Sequence, residues 1–188
     1  VTRDEGLALV RQYIENEALV RHCLAVEAAM RTYAPRYDGD IEEWGLTGLL
    51  HDFDWEIHPS MEQHPHHGSP ILRERGVSER IIHAILTHAE YLGMPREDPM
   101  EKVLFAVDEL CGLVTAATLV RPTRSIYDLD VSSVKKKFKD KAFARQVNRD
   151  DITRGAADLG VSMDEHIGVV IEAMRGIAPA LGLDGQTA

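Results

Sequence analysis

Apolar residues recur every three to four positions along most of the chain, and no stretch sustains strict apolar–polar alternation between hairpin turns. That pattern predicts helices and no sheet. Polar punctuation marks the ends. "NEALVRHCLAVEAAM" follows Asn16, a good N-cap, and runs to about Thr32, with Pro35 beyond. "DIEEWGLTGLLHDF" opens on Asp40 with Glu43 three residues on, a variant capping box. Thr2 with Glu5, and Ser162 with Glu165, repeat the same spacing. "SERIIHAILTHAEYLG" has Ser78 as cap and Gly93 as stop. The longest segment has Asp98 as cap, Pro99 at the first helical position, Glu101 at the third and Pro122 as terminator. The stretch "HPSMEQHPHHGSP" carries three prolines and reads as a loop leading into a helix. Pro70 is the favoured first residue if that helix starts at Ser69, and an interior kink if it starts at Pro65.

These segments sum to a single all-α domain of about seven to nine helices. The chain has 188 residues, enough for one substantial core. No fixed-period repeat or low-complexity tract interrupts it. No apolar run approaches the roughly 18 residues that span a bilayer, and the acidic start "VTRDEGLALV" lacks a signal-peptide core. The expected location is cytoplasmic, with no membrane partner. Cys23 and Cys111 fall among apolar residues outside any CxxC pair, as reduced core thiols do. A formal net charge of −10 argues against duplex nucleic acid as partner.

Helical spacing then sorts the histidines. Five of the nine lie in residues 51–68, "HDFDWEIHPSMEQHPHHG". His22 shares an apolar face with Leu19 and Val26, and His88 shares one with Ile81 and Ile85. His83 aligns with Glu79 and Glu90 and is expected to face water. Asp108 lies four residues after Leu104 and three before Cys111, so its carboxylate points inward and needs a partner. His51 and Asp52 close an apolar segment in which Thr47 and Gly48, one turn earlier, leave room. A single inward histidine is more often a hydrogen-bonded core residue than a ligand. Several of them on separate helices, with two aspartates, are how helical bundles build metal sites. The mixture of imidazole and carboxylate suits zinc, manganese, iron or nickel.

The order His22, His51–Asp52, His64–Pro65–x–x–Gly68, His88, Asp108 resembles the HD superfamily of metal-dependent phosphohydrolases, over residues 22 to about 122. "VRPTRSIYDLDVSSVKKKFKDKAFARQVNR" also resembles the C-terminal part of uncharacterised single-domain HD hydrolases of bacteria and archaea. The resemblance implies an HD-type helical bundle over residues 1–188, with a motif-bearing core at about 16–122 and a C-terminal helical extension at about 123–188. It implies that His22, His51, Asp52 and Asp108 hold one ion, and that His64 and His88 hold a second bridged by Asp52. His67, three residues past His64, takes that place if the loop is shifted. The cofactor so implied is one or two divalent ions: manganese, iron, zinc, nickel, cobalt or magnesium. No GYP motif follows His88, whose neighbour is Ala89, so the cyclic-dinucleotide phosphodiesterase activity does not carry over.

The expected chemistry is hydrolysis of a small phosphorylated substrate, a nucleotide among the options, with Asp52 central and Asp54, Glu56 and His67 as nearby candidates for proton transfer or water orientation. Lys135, Lys136 and Lys139, within "KKKFKDK", and Arg121 are candidate substrate contacts. The alternative for the lysines is a solvated helix face. Two other readings stand beside hydrolysis: a di-iron oxygenase built on the same ligands, and a non-enzymatic metal-binding regulatory module.

Overall fold

The computed structural model describes residues 1–185. Ten α-helices carry the fold: α1 (Arg3–Tyr13), α2 (Glu17–Tyr33), α3 (Ile41–Leu50), α4 (Ser69–Glu74), α5 (Glu79–His88), α6 (Pro99–Leu119), α7 (Val131–Lys139), α8 (Arg149–Asp158), α9 (Met163–Arg175) and α10 (Ala178–Leu181). Among the described residues the sole β pairing is an isolated bridge between Ser125 and Asp184. The four-residue α10 takes the count one above the expected range, and it is too short to show a periodic apolar face, so spacing does not reveal it.

Helix starts follow the expected caps. The side chains of Thr2, Asn16, Asp40, Ser78, Asp98 and Ser162 each accept from a backbone N–H of the first turn. The reciprocal half of the capping box forms at Glu5 and Glu101. Glu43 and Glu165 instead pair with Arg80 and Arg36, exchanging one amide for a charge-assisted hydrogen bond to a guanidinium. Pro70 sits in the first turn of α4, which begins at Ser69. Helix α5 stops at His88, five residues before Gly93. Side chains have taken its last carbonyls: Thr87 donates to Ala84 O, His88 to Ile85 O and Arg96 to Thr87 O. Gly93 ends a separate short 3-10 turn instead, Glu90–Leu92.

Two apolar clusters meet along α2 and its neighbours. One is built by Leu9, Val10, Val20, Leu49, Phe53 and Ile82, from α1 to α5. The other runs from Val26 and Met30 of α2 through Leu104 and Leu110 of α6 to Val170 and Met174 of α9. The C-terminal helices therefore share a core with α2 and α6. Gly48 is what brings α3 against α2. A Cβ there would lie 2.8 Å from Val26 O and 2.9 Å from Glu27 N. The room expected at Gly48 is thus filled by the α2 backbone and is not space at a site. Glu27, buried at this junction, accepts from Arg3 at 2.6 Å and Arg31 at 2.9 Å, so its buried carboxylate is paired.

Candidate metal centre

Four helices and one loop deliver six side chains to a single point. α2 contributes His22; the C-cap of α3 is His51, with Asp52 next; the turns after it carry His64. α5 ends on His88 and α6 carries Asp108. Ligand-type atoms of His22, His51 and Asp108 lie within 4.8 Å of one another, and so do those of Asp52, His64 and His88. Asp52 joins the two groups. Its Oδ2 is 3.7 Å from His22 Nε2 and 3.4 Å from His51 Nε2, while its Oδ1 is 3.1 Å from His64 Nε2 and 3.7 Å from His88 Nε2. His22 Nε2 lies 3.0 Å from Asp108 Oδ1, and His51 Nε2 3.5 Å from the same oxygen. Such spacings are those of atoms each about 2.1 Å from a shared cation.

The outer hydrogen bonds set which ring nitrogen faces inward. His51 Nδ1 donates to Gly48 O at 2.8 Å, His64 Nδ1 donates to Asp54 Oδ1 at 2.7 Å, and His88 Nδ1 donates to Ile85 O. In the neutral rings each Nε2 then carries a lone pair. His51 Nε2 is buried without a hydrogen-bond partner. The Nε2 atoms of His64 and His88 face each other at 3.4 Å. An orphaned acceptor and two opposed lone pairs in a buried site cost free energy unless a cation lies among them. The residues present therefore fit divalent ions. Gly68 completes the support, since a Cβ there would lie 2.4 Å from Asp54 Oδ2 and push Asp54 off His64.

Protons can take up part of that role. Burial opposes charge on His51, yet Asp52 and Asp108 overcome it and raise its pKa well above the ordinary value. His64 is likewise opposed by burial, and its bonds to Asp52 and Asp54 raise it to about 9. Burial lowers His88 to about 4, with the His51 cation adding to the effect. Asp52 and Asp108 stay ionised: burial works against them, but the neighbouring histidines hold both below the usual carboxylate range.

A cleft of about 720 Å³ opens onto this cluster. Besides the ligand-type residues its walls include Trp55, Tyr91, Phe105, Glu109, Asp151 and Arg154. Burial, and then Asp108, push Glu109 up to about 7. None of these wall residues belongs to a motif, and Asp151 and Arg154 come from α8, far along the chain. Sequence reasoning missed them because their convergence is purely tertiary. The Asn148 cap of α8 was the one local signal available.

Several expected site residues lie elsewhere. Asp54 is fully buried and accepts from His64, so it orients that ring and does not line the cleft. Glu56 caps the α1–α2 junction by accepting from the amides of Glu15 and Asn16. His67 is exposed, with its ring against His58, and is not brought to Asp52; His64 is. Lys135, Lys136 and Lys139 line a separate surface groove with Asp164, to which Lys135 is paired at 2.5 Å. Arg121 is not among the cleft walls either. The lysines are one helix face, as their i, i+1, i+4 spacing allows, and α7 presents that face to its own groove and not to the cleft walls. His83 is exposed, as expected, and bonds Glu101.

A wholly helical bundle that gathers four imidazoles and two carboxylates in this way is a histidine–aspartate metal-binding domain. The chain belongs to the HD domain family, whose profile matches residues 19–113, half of the chain and all six converging residues. Proteins of this family are mostly metal-dependent phosphohydrolases, and HD domains bind divalent metals. No curated protein and no solved structure matches the chain. No helix among the described residues is long and apolar enough to cross a membrane.

Proposed function

We propose that the protein is a metal-dependent phosphohydrolase that uses water to cleave a small phosphoester, nucleotides included, in the cytoplasm. The observation that carries this reading is the split of Asp52, one oxygen towards His22 and His51 and the other towards His64 and His88. On this reading His22, His51, Asp52 and Asp108 hold one ion, and His64, His88 and Asp52 a second. Bound divalent ions supply Lewis acidity, lowering the pKa of water and offsetting charge that grows on phosphoryl oxygens. The chain's own contribution is orientation. Gly48 O, Asp54 and Ile85 O fix three rings, and the Trp55 ring, 4.9 Å from His64 and edge-on, screens that ring from solvent. Rings held this way need no reorganisation when substrate arrives. The cytoplasmic location is supported by Cys23 and Cys111, both buried and free.

The test is metal analysis of untagged protein, followed by a screen of phosphomonoesters, nucleotides and cyclic nucleotides with added manganese, iron, cobalt, nickel, zinc or magnesium. Phosphate release that depends on metal and is lost in Asp52→Ala is the expected result. Tightly held iron with oxygen uptake and no phosphate release from any substrate would replace this reading with oxygenase chemistry.

A further inference from the structure

The charged residues of the cleft are unevenly distributed. Asp52, Glu90, Asp108, Glu109 and Asp151 line it, and Arg154 is the single Arg or Lys among the described lining residues. Ions at the cluster offset the aspartates that hold them. A second anionic group on the substrate, further up the cleft, would meet Glu90, Glu109 and Asp151, with Arg154 as the one guanidinium on the cleft wall to receive it.

The fold fixes where that cation stands. The backbone N–H of Asn148, at the start of α8, donates to Glu109 Oε2 at 3.1 Å, beside the candidate ligand Asp108. Gly155 lies flush on α6: a Cβ there would be 2.5 Å from Ala106 Cα. Arg154 is therefore held by its helix at a set height over the segment of α6 that carries Asp108. Its Nη1 donates to Glu90 at 2.8 Å and its Nη2 to Asp151. Glu90 follows the candidate ligand His88 by two residues, so this ion pair links the α8 wall to the α5 wall.

The pair is built for exchange. Glu90 also accepts from Arg96 at 2.5 Å, and the Arg96 guanidinium is stacked 3.7 Å from the Phe105 ring. Arg96 is 13% exposed, whereas Arg154 is 50% exposed. Glu90 stays partnered if Arg154 turns away. Breaking a half-exposed pair costs little, because water solvates both partners once they part. A guanidinium has five N–H donors, so Arg154 can grip an oxyanion bidentately.

We propose that Arg154 is the specificity-determining residue of the cleft, selecting substrates that carry a second oxyanion, phosphate or carboxylate, beside the group held at the metal cluster. The proposal rests on the phosphohydrolase reading only for what that first group is. Arg154 lies outside residues 19–113 that match the family, so the selection belongs to this chain's C-terminal helices.

Calorimetric titration of the manganese-loaded protein with three non-hydrolysable ligands tests it. The ligands are propylphosphonate, 3-phosphonopropionate and propane-1,3-diphosphonate. The last two should bind more tightly than the first. Arg154→Gln should erase that advantage, by roughly ten- to hundredfold, the loss of one charged hydrogen-bonded partner. Propylphosphonate binding should stay the same. Whichever of the two doubly anionic ligands suffers the larger loss names the preferred oxyanion. Glu90→Gln, which removes the competing carboxylate, should tighten both, a result that a merely structural strap does not give. Equal weakening of all three ligands by Arg154→Gln, no weakening of any, no binding of any phosphonate, or weaker binding in Glu90→Gln would each overturn the proposal. Arg154-dependent binding in a protein that hydrolyses no phosphoester would defeat the catalytic reading alone. Hydrolysis with ligand binding indifferent to Arg154 would defeat this one alone.

Discussion

The Tyr33 hydroxyl donates to Nδ1 of His166 at 2.7 Å, and His166 Nε2 donates to Ala106 O at 2.8 Å, so two fully buried polar side chains satisfy each other between α2, α6 and α9. The tautomer is fixed by the carbonyl, and a proton added at Nδ1 would displace the tyrosine hydrogen bond. Burial accordingly lowers the His166 pKa below its ordinary 6.5. The unfolded chain then binds the extra proton first, and stability rises with pH across the interval between the two values. Acidification below about 6.5 should destabilise the wild-type protein by more than it destabilises His166→Gln. Denaturant titrations of both proteins at pH 7.5 and 5.5 check this; equal losses in the two would show that His166 contributes nothing. Tyr33→Phe should cost about 1–3 kcal/mol at neutral pH, because it leaves a buried acceptor unpaired.

Gly48→Ala should couple stability to metal affinity. The added methyl meets the α2 backbone at Val26 and Glu27, which cannot rotate out of its way. Overpacking of this kind costs about 1–3 kcal/mol. It also shifts Gly48 O, which orients His51, relative to His22 on α2. Lower melting temperature together with weaker manganese binding is expected. Full metal affinity in a destabilised variant would separate the two effects.

Asp52→Ala should release both ions, since its oxygens face both groups of histidines, and should abolish any metal-dependent phosphatase activity. The apolar clusters on either side are untouched, so helical circular dichroism should persist. Retained metal at wild-type content would remove Asp52 from the bridging position.

Metal stoichiometry separates one ion from two. Saturating manganese or iron should approach two equivalents in the wild type. His64→Ala and His88→Ala should each lose one, while His67→Ala keeps both, because its ring lies against His58 on the surface. A titration that stops at one equivalent, with normal content in the His88 variant, rules out the second ion.

Much of this was legible in the chain, for identifiable reasons. His22, His88 and Asp108 sit on long helices, where a residue's face follows from its distance to Val26, Ile85 or Leu104. Caps are local chemistry, so Asn16, Ser78 and Asp98 announce their helices. The turns after His51 have no period, and only the resemblance distinguished His64 from His67 there. The roles of Asp54 and Glu56 depend on partners ten and about forty residues away, which no local rule connects. Charge density at Lys135–Lys139 is visible in the sequence, but the direction in which α7 presents it is set by packing against α6 and α9.

The six converging residues are drawn from positions 22 to 108, across four helices and a loop. An ion gripping them is therefore a removable cross-link between distant parts of the chain, available only when those parts are already assembled. Free metal at a hundred times its dissociation constant adds about 2.7 kcal/mol of stability for each such site. On the proposed reading, the melting temperature should therefore gauge the metal around the protein, and a chelator should act on the whole tertiary structure through a few atoms at its centre.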